Sequence, residues 1–526
     1  MKSAKRITSI FSGLVIKLAI ILMLLLVASL LKLRLDFSRN KVYSLSAVSK
    51  EAVRNLKDNL VVKIFASEEL PAEMTSLDRY VKDLLAEYQM ASRGKFHYEF
   101  IRGLSTEELR AQAQQNGLKS MYFRIYENDQ TINKEVIYGL VFEYQGNFDA
   151  LNLLPRTEAK LEYELTLKVQ KLARYMLPEV GLYMNSLYRE MPNKYFMEGM
   201  NANFNVVDTD LMAPPKQTKT LVFTGAIDSL STAQLYNLDQ YIMKGGKLVV
   251  LQDRTIADDK AIHELKSNIF PFLEHYGLKI SPEIAMDIFC DIRQAGVDTN
   301  VSFPIYPVVK GSEHPITRNI SEIVLYMPSG IAFLKQPGLK FQTILASSPN
   351  SAFLEGPDYI IDPDLFQNPD PEVFSHPPIS LGAIVEGTFT SFFADKPQDQ
   401  LPGFVASNAN GRIVVFGDRE LIIDADKNIY TDRHNIVLNA VDWLLGRDSM
   451  INIRSRYRQT SILDIAYYMH KKQIVWGDMA TKERHIKTGI KVVSTVLPAL
   501  ILIAVGAFMA LRRKQMQYPV DTDAKT

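Results

Sequence analysis

The chain is poor in cysteine, in net charge and in glycine-, serine- and histidine-based catalytic motifs, and each shortage removes a class of function. One cysteine, Cys290, stands among 526 residues, which excludes an intramolecular disulfide, a CxxC redox couple and a thiolate zinc cage. Sixty Lys and Arg meet 59 Asp and Glu, a formal net charge of +1, so there is no positive excess to neutralise a phosphate backbone and nucleic acid is not an expected partner. An ATPase would need GxxxxGK[ST]; the nearest run, Lys244-Gly245-Gly246-Lys247-Leu248, lacks the spaced glycine and the hydroxyl and reads as a helix stop. A dinucleotide site would need GxGxxG, of which Phe223-Thr224-Gly225-Ala226-Ile227-Asp228 has one glycine. No GxSxG pentad occurs, and the eight histidines form neither HExxH nor an i, i+4 pair. No cofactor is expected.

What is present is a globular average, 47% hydrophobic and 23% charged, long enough for two to four domains at about 100 to 200 residues each. Two apolar stretches, Leu14–Leu33 and Val492–Leu511, interrupt that average. At 1.5 Å per residue, about twenty residues cover the roughly 30 Å hydrocarbon core, so each is expected to span a bilayer. The second carries no charge, only Pro498 and Gly506, both tolerated in lipid. The first contains Lys17 and Lys32 and would also suit a signal peptide, but Ala28-Ser29 is followed by Leu30-Leu31 rather than a small-x-small cleavage site. Lys and Arg flank both spans nearly evenly: Lys2, Lys5 and Arg6 against Arg34, Arg39 and Lys41, and Lys482, Arg484, Lys487 and Lys491 against Arg512, Arg513 and Lys514. Charge does not orient the chain. Two spans put both termini on one side, and the expectation is cytoplasmic termini, a cytoplasmic (inner) membrane location and an extracytoplasmic middle, since long domains translocate largely regardless of charge. A cytoplasmic middle stays open as the alternative.

Periodicity divides the rest. Residues 1–13 read as a tail, 14–33 as a span and 34–58 as a membrane-proximal linker. Residues 59–177 alternate strand and helix: LVVKIFAS, a helix with Leu77, Val81, Leu84 and Leu85 capped by Thr75-Ser76-Leu77-Asp78, KFHYEFI, a helix opened by the capping box Ser105–Glu108, the strands MYFRIYEN and KEVIYGLVFEYQG, and a helix with Leu161, Leu165 and Val169 on one stripe. That β-α-β-α-β-β-α order predicts a thioredoxin-like α/β domain without CxxC. Residues 178–450 read as a doubly wound, mostly parallel α/β sheet domain, because VGLYMN, TLVFTG, KLVVLQD and RIVVFGD are near-continuous β-branched runs of the kind covered on both faces. Helices are expected from Ser231, boxed with Gln234, and from about His434, with Ile436, Ala440, Trp443 and Leu444 inward. Seven prolines between Pro349 and Pro378 make 349–378 a loop excursion or lid. Residues 451–491 form a juxtamembrane segment, 492–511 the second span and 512–526 a polar tail.

Open α/β sheets bind ligands beyond the carboxyl ends of their strands. Those ends here carry Asn185, Ser186, Gly225, Asp253 and Asp418, which form the candidate ligand crevice. Asp418-Arg419-Glu420 and Asp253-Arg254 read as solvated ion pairs. Cys290 reads as an ordinary small buried residue rather than a lone nucleophile. No catalytic or metal-binding residue is expected.

Several stretches in order resemble the GldG family, the auxiliary component of a gliding-motility-associated ABC transport system. They are Leu35-Asp36-Phe37-Ser38 and Tyr43-Ser44-Leu45-Ser46 just past the first span, Tyr241–Leu251 (YIMKGGKLVVL), His314-Pro315-Ile316-Thr317, Ser348-Pro349-Asn350-Ser351, Val385-Glu386-Gly387 and the closing run NAVDWLLGRDSMINIRS from Asn439. The chain departs from that pattern at Arg254, where proline is usual, and at Ala352, where an aromatic is. The resemblance implies a non-catalytic partner of a separate ABC permease and ATP-binding subunit, held in the lipid bilayer by two spans. Two other functions fit the same residues: an envelope scaffold with no transport role, and an anchored glycan- or peptide-processing enzyme using the strand-end carboxylates.

Overall fold

The computed structural model describes residues 44–455, except 102–104, 128–129, 156, 174–176, 216–217, 259–260, 295–299, 319, 321, 361–371 and 425–431, together with residues 23 and 488. The expected spans at 14–33 and 492–511, apart from residue 23, lie outside the described residues. Among the described residues, no helix is long and apolar enough to cross a membrane.

The N-terminal lobe runs α1 (Ala47–Arg54), β1 (Leu60–Ala66), α2 (Thr75–Ala91), β2 (Phe96–Ile101), α3 (Thr106–Gln115), β3 (Met121–Glu127), β4 (Gln130–Val136), β5 (Tyr138–Tyr144), β6 (Asn147–Asn152) and α4 (Glu158–Leu172). Its sheet has the order β2-β1-β5-β6, with β1 parallel to β2 and β5 antiparallel to both neighbours. The expected alternation runs as read through β1, α2, β2 and α3, with α1 ahead of it; MYFRIYEN then forms β3 of a separate β3–β4 hairpin, and the sheet is completed by β5 and by β6, a strand absent from the sequence reading, before α4. The run KEVIYGLVFEYQG divides between β4 and β5. Gln145 and Gly146 then turn with φ of 49° and 78°, a tight reversal that brings in β6. Leu77, Val81, Leu84, Leu85 and Tyr88 of α2 and Leu161, Leu165 and Val169 of α4 pack into one core with Leu60, Val62 and Ile64.

The two expected helix starts in this lobe come out differently. Ser105 and Glu108 form a reciprocal capping box. Thr75 caps nothing: a 3-10 turn, Ala72–Met74, runs straight into α2, so Thr75 has helical dihedrals (φ −63°, ψ −38°) instead of the extended ones an N-cap needs.

The second domain runs β7 (Glu179–Met184), α5 (Ser186–Glu190), α6 (Lys194–Asn203), β8 (Asn205–Asp208), β9 (Thr220–Thr224), α7 (Thr232–Met243), β10 (Lys247–Leu251), β11 (Thr255–Ala257), β12 (Ile262–Glu264), α8 (Ile269–His275), β13 (Leu278–Asp287), β14 (Cys290–Gln294), β15 (Asn300–Gly311), β16 (Ile323–Val324), β17 (Ser329–Phe333), β18 (Leu339–Ala346), β19 (Ser351–Leu354), β20 (Ser380–Thr390), β21 (Ser407–Phe416), α9 (Asp432–Leu444) and α10 (Asp448–Ser455). The large sheet is ordered β14-β15-β18-β20-β21-β10-β9-β7-β8. From β8 to β21 every pair is parallel; from β21 to β14 every pair is antiparallel.

The sheet is therefore mixed, where a mostly parallel one was expected. Its parallel half is doubly wound. Val222, Val249 and Val414 face α6 and α9, while Leu221, Phe223, Leu248, Val250, Ile413 and Val415 face α7 and α8, which is why those strands read as continuous apolar runs. The antiparallel half carries intermediate and exposed positions along β18 and at the far end of β20, so its strands lack that signal. Within the proline-rich excursion, β19 adds an edge to a small β17-β13-β19 sheet, and Ser351 bridges His376. An edge tolerates flanking proline where a central strand would not.

Candidate strand-end site

Residues after β7, β9, β10 and β21 meet at the carboxyl end of the parallel half. Asn185 caps α5, its Oδ1 accepting from Leu187 N at 3.0 Å, and Ser186 is exposed beside it. Gly225 turns with φ +74°, and a Cβ there would lie 2.7 Å from the Tyr188 ring. This backbone conformation and this close approach both need glycine. Gln252 clamps the same turn, accepting from Ala226 N at 2.8 Å and donating to Ala226 O at 3.3 Å.

Asp253 and Asp418 are brought to the same buried place, 3% and 0% exposed. Arg419 does not pair with its neighbours in solvent. Its Nη1 lies 2.7 Å from Asp253 Oδ1, Nη2 donates to Thr255 O at 2.7 Å and Nε donates to the Tyr188 hydroxyl. The expectation of solvated pairs is corrected for Arg419 because the apolar run of β21 carries the following residues inward with it. Arg254 turns instead to Glu264, 3.1 Å away. Asp418 Oδ1 accepts from Glu420 N at 2.7 Å and Oδ2 from Tyr326 N at 3.0 Å. Arg433 Nη2 stands 3.8 Å from that carboxylate, donates to Glu420 O at 2.7 Å, and its guanidinium lies 4.3 Å over the Tyr326 ring.

Burial, only partly offset by Arg419 and reinforced by Asp418 and Glu420, pushes Asp253 up to about 8. Burial also raises Asp418 against the pull of Arg433. Glu420 goes up to about 7 through burial and the nearby Asp418. Carboxyl groups in that range can exchange protons near neutral pH. Access is the obstacle, since the segment 326–329 lies across the strand ends. Ser329 N donates to Gly417 O at 2.8 Å and Arg254 N to Ser329 Oγ at 2.9 Å. A Cβ on Gly417 would sit 2.1 Å from Ser329 O, so that close crossing depends on glycine. Among the described residues, no group of three His, Cys, Asp or Glu could hold a metal ion. The Cys290 thiol is pushed up to about 11 by burial and stays protonated at neutral pH, which leaves it a poor nucleophile.

A second buried cluster, which the sequence reading missed, lies at the other end of α9. Arg454 of α10 donates from Nε to Tyr163 Oη of α4 (3.1 Å), from Nη1 to Asn439 Oδ1 (2.7 Å), and from Nη2 to Asn203 Oδ1 of α6 (3.0 Å) and Asp442 Oδ2 (2.7 Å). Arg447 Nη1 approaches Asp442 Oδ1 at 3.4 Å. Beside this cluster Val48 of α1, Tyr163 of α4, and Met450 and Ile453 of α10 share a small buried contact. The first and last described helices thereby meet. The fragment NAVDWLLGRDSMINIRS holds four of these polar residues, Asn439, Asp442, Arg447 and Arg454, but nothing local in it says that Arg454 is buried.

With this geometry in place, the comparison with known proteins is specific for the second domain. The family described as an ABC-type uncharacterized transport system matches residues 177–440. The chain belongs to that family. Membership carries a transport-associated role and an association with an ABC transporter. A domain of unknown function, DUF7088, matches residues 39–143. An uncharacterized protein of Borreliella burgdorferi (strain ATCC 35210) is 20% identical over 460 residues, covering 84% of this chain and 88% of that protein. Among solved structures, the mmIFT52 N-terminal domain aligns with 51% of this chain and 96% of its own length at 14% identity and a TM-score of 0.32, a similarity on which no argument rests.

Proposed function

We propose that the chain is a non-catalytic, membrane-anchored auxiliary subunit of a GldG-like ABC transport system. Its two terminal spans hold it in the cytoplasmic membrane, its α/β body lies outside the cytoplasm, and it works with a separate permease and ATP-binding subunit. The observation that carries this is the family match over 177–440 in a chain that has no phosphate-binding GxxxxGK[ST] loop of its own. The body's ends support the two-anchor arrangement. α1 and α10, the described helices nearest the two apolar stretches, pack on one another through Val48, Met450 and Ile453, a placement that suits two tethers to a single bilayer. The N-terminal lobe is read as thioredoxin-like, supported by its strand order β2-β1-β5-β6 with only β5 reversed against β1. Lacking CxxC, it serves as a docking module.

One observation favours a second reading, an anchored envelope enzyme: the raised carboxyls of Asp253 and Glu420. It requires a substrate path past residues 326–329.

Affinity purification of the tagged full chain from detergent-solubilised membranes separates these readings. The expected result is copurification of a multi-span permease and an ATP-binding subunit. A chain recovered from membranes without them, or found in the soluble fraction, overturns the proposal. For sidedness, Tyr122→Cys in a Cys290→Ser background uses a position 72% exposed on the β3–β4 hairpin. An impermeant maleimide applied from outside the inner membrane is expected to label it, and labelling only after that membrane is broken would place the body in the cytoplasm.

A further inference from the structure

The 13 residues of α9 are unusual in their surroundings. Ten of them are buried, including Arg433, His434, Asn439 and Asp442. A surface helix buries one stripe; this one packs against the sheet core on one side and α6 and the end of β16 on others. It also carries a buried charge cluster at each end, Arg433 and Asp442 lying about 14 Å apart along the axis at 1.5 Å per residue. Buried ionic groups are poor sources of stability, and their best-attested use is to fix a register or a switch.

The two ends differ in how completely they are satisfied. At the carboxyl end every nitrogen of the Arg454 guanidinium has an acceptor, drawn from α4, α6 and α9 itself; among the described residues one atom of this cluster, Asp442 Oδ1, has no hydrogen-bond partner, and it faces Arg447 Nη1 at 3.4 Å. At the amino end, among the described residues, Arg433 Nε and Nη1, His434 Nδ1 and Asp424 Oδ1 are buried without a hydrogen-bond partner. Asp424 Oδ1 faces His434 Nε2 at 3.6 Å, and the Phe196 ring sits edge-on to the His434 ring with centroids 5.7 Å apart. One end is bolted; the other has donors and acceptors to spare, the condition for a second arrangement.

We propose that α9 is a coupling strut. Arg454 locks its carboxyl end to α4 of the N-terminal lobe and to α10, and a shift or rotation of α9 at that end is delivered through Arg433 to Asp418 and the segment 326–329 over the strand ends. Because α9 is packed on several sides, it moves between discrete packings and does not slide continuously. Asp418 reads the change directly, holding the amides of Tyr326 and Glu420 with its two oxygens. Arg454 and Arg433 are positioning residues in this scheme. The use of the strut in transport rests on the proposed function. The coupling itself does not, and the test below reads it in the isolated chain.

Hydrogen exchange by mass spectrometry on the full chain in detergent measures the amides of Tyr326 and Glu420. Arg454→Met removes the lock and keeps an unbranched apolar stem. The expected result is roughly tenfold faster exchange at both distant amides, with β1 and β5 unchanged. Exchange that rises in α10 and α4 but stays at the wild-type rate at Tyr326 and Glu420 overturns the proposal. Should Arg454→Met fail to fold, Tyr163→Phe removes a single acceptor and is expected to give a smaller acceleration at the same two amides; no acceleration there overturns the proposal equally. Asp239→Asn is the control. It disturbs a buried network on the other sheet face, where Asp239 accepts from Tyr276, Ser391 and Phe392. It is expected to leave Tyr326 and Glu420 at wild-type rates, and equal acceleration in that variant would reduce the effect to general loosening and refute the strut.

Discussion

The two ends of α9 bury charge in opposite ways. Around Arg454, the guanidinium meets four acceptors, one of them the cluster's single buried carboxylate, Asp442, which Arg447 also approaches. Around Asp418, three acidic groups share two guanidiniums, Arg419 and Arg433, and burial lifts the carboxyls toward neutrality. The first arrangement defines a single geometry. The second holds protons that it can release, so the strand-end cluster is the part of the molecule whose state can vary while the Arg454 cluster keeps the lobes in register.

Mutation can break that contrast. Arg454→Met strands the buried Asp442 and is expected to have the largest effect, a loss of about 3–5 kcal/mol in urea denaturation at neutral pH. Arg419→Met should be milder, about 1–3 kcal/mol, because Asp253, raised to about 8, is already mostly protonated at neutral pH and leaves little stranded charge when its partner is lost. Equal losses would erase the distinction between the ends. Gly225→Ala forces a Cβ toward the Tyr188 ring that supports Arg419 and is expected to cost about 1–3 kcal/mol by thermal melting.

The smallest effect sharpens the comparison through pH. Burial raises Glu420 above its unfolded value, so folding takes up a proton. Stability from this group is full below about 4.5 and is lost as pH rises through about 7. Glu420→Gln should flatten the fall in stability between pH 5 and pH 8 by roughly 1 kcal/mol, allowing for its partial exposure. An unchanged slope would mean that Glu420 does not titrate with the cluster.

Much of this was readable from residues alone where the signal was local. Continuous β-branched runs located β7, β9, β10 and β21, and the Ser105–Glu108 and Ser231–Gln234 boxes located the starts of α3 and α7. Because parallel strands end together, Asp253 and Asp418 were expected to converge, as they do. The antiparallel strands from β13 to β20 were missed since partial exposure hides them from a search for buried runs. The partners of the two carboxylates were missed for a different reason. Arg419 reaches Asp253 across 166 positions, and Tyr326 reaches Asp418 across 92; whether such a charge is solvated or buried is decided by which loop crosses above it. The Thr75 cap failed because a preceding 3-10 turn had already set helical dihedrals, an outcome that depends on chain entry and not on residue type.

The most direct test of the central claim is ATP hydrolysis by vesicles containing the copurified permease and ATP-binding subunit, with and without the full chain. The account predicts that the chain alone hydrolyses no ATP, that the pair's rate changes when the chain is present, and that the change is lost with Arg454→Met. Hydrolysis by the chain alone, or a rate indifferent to its presence, would contradict it.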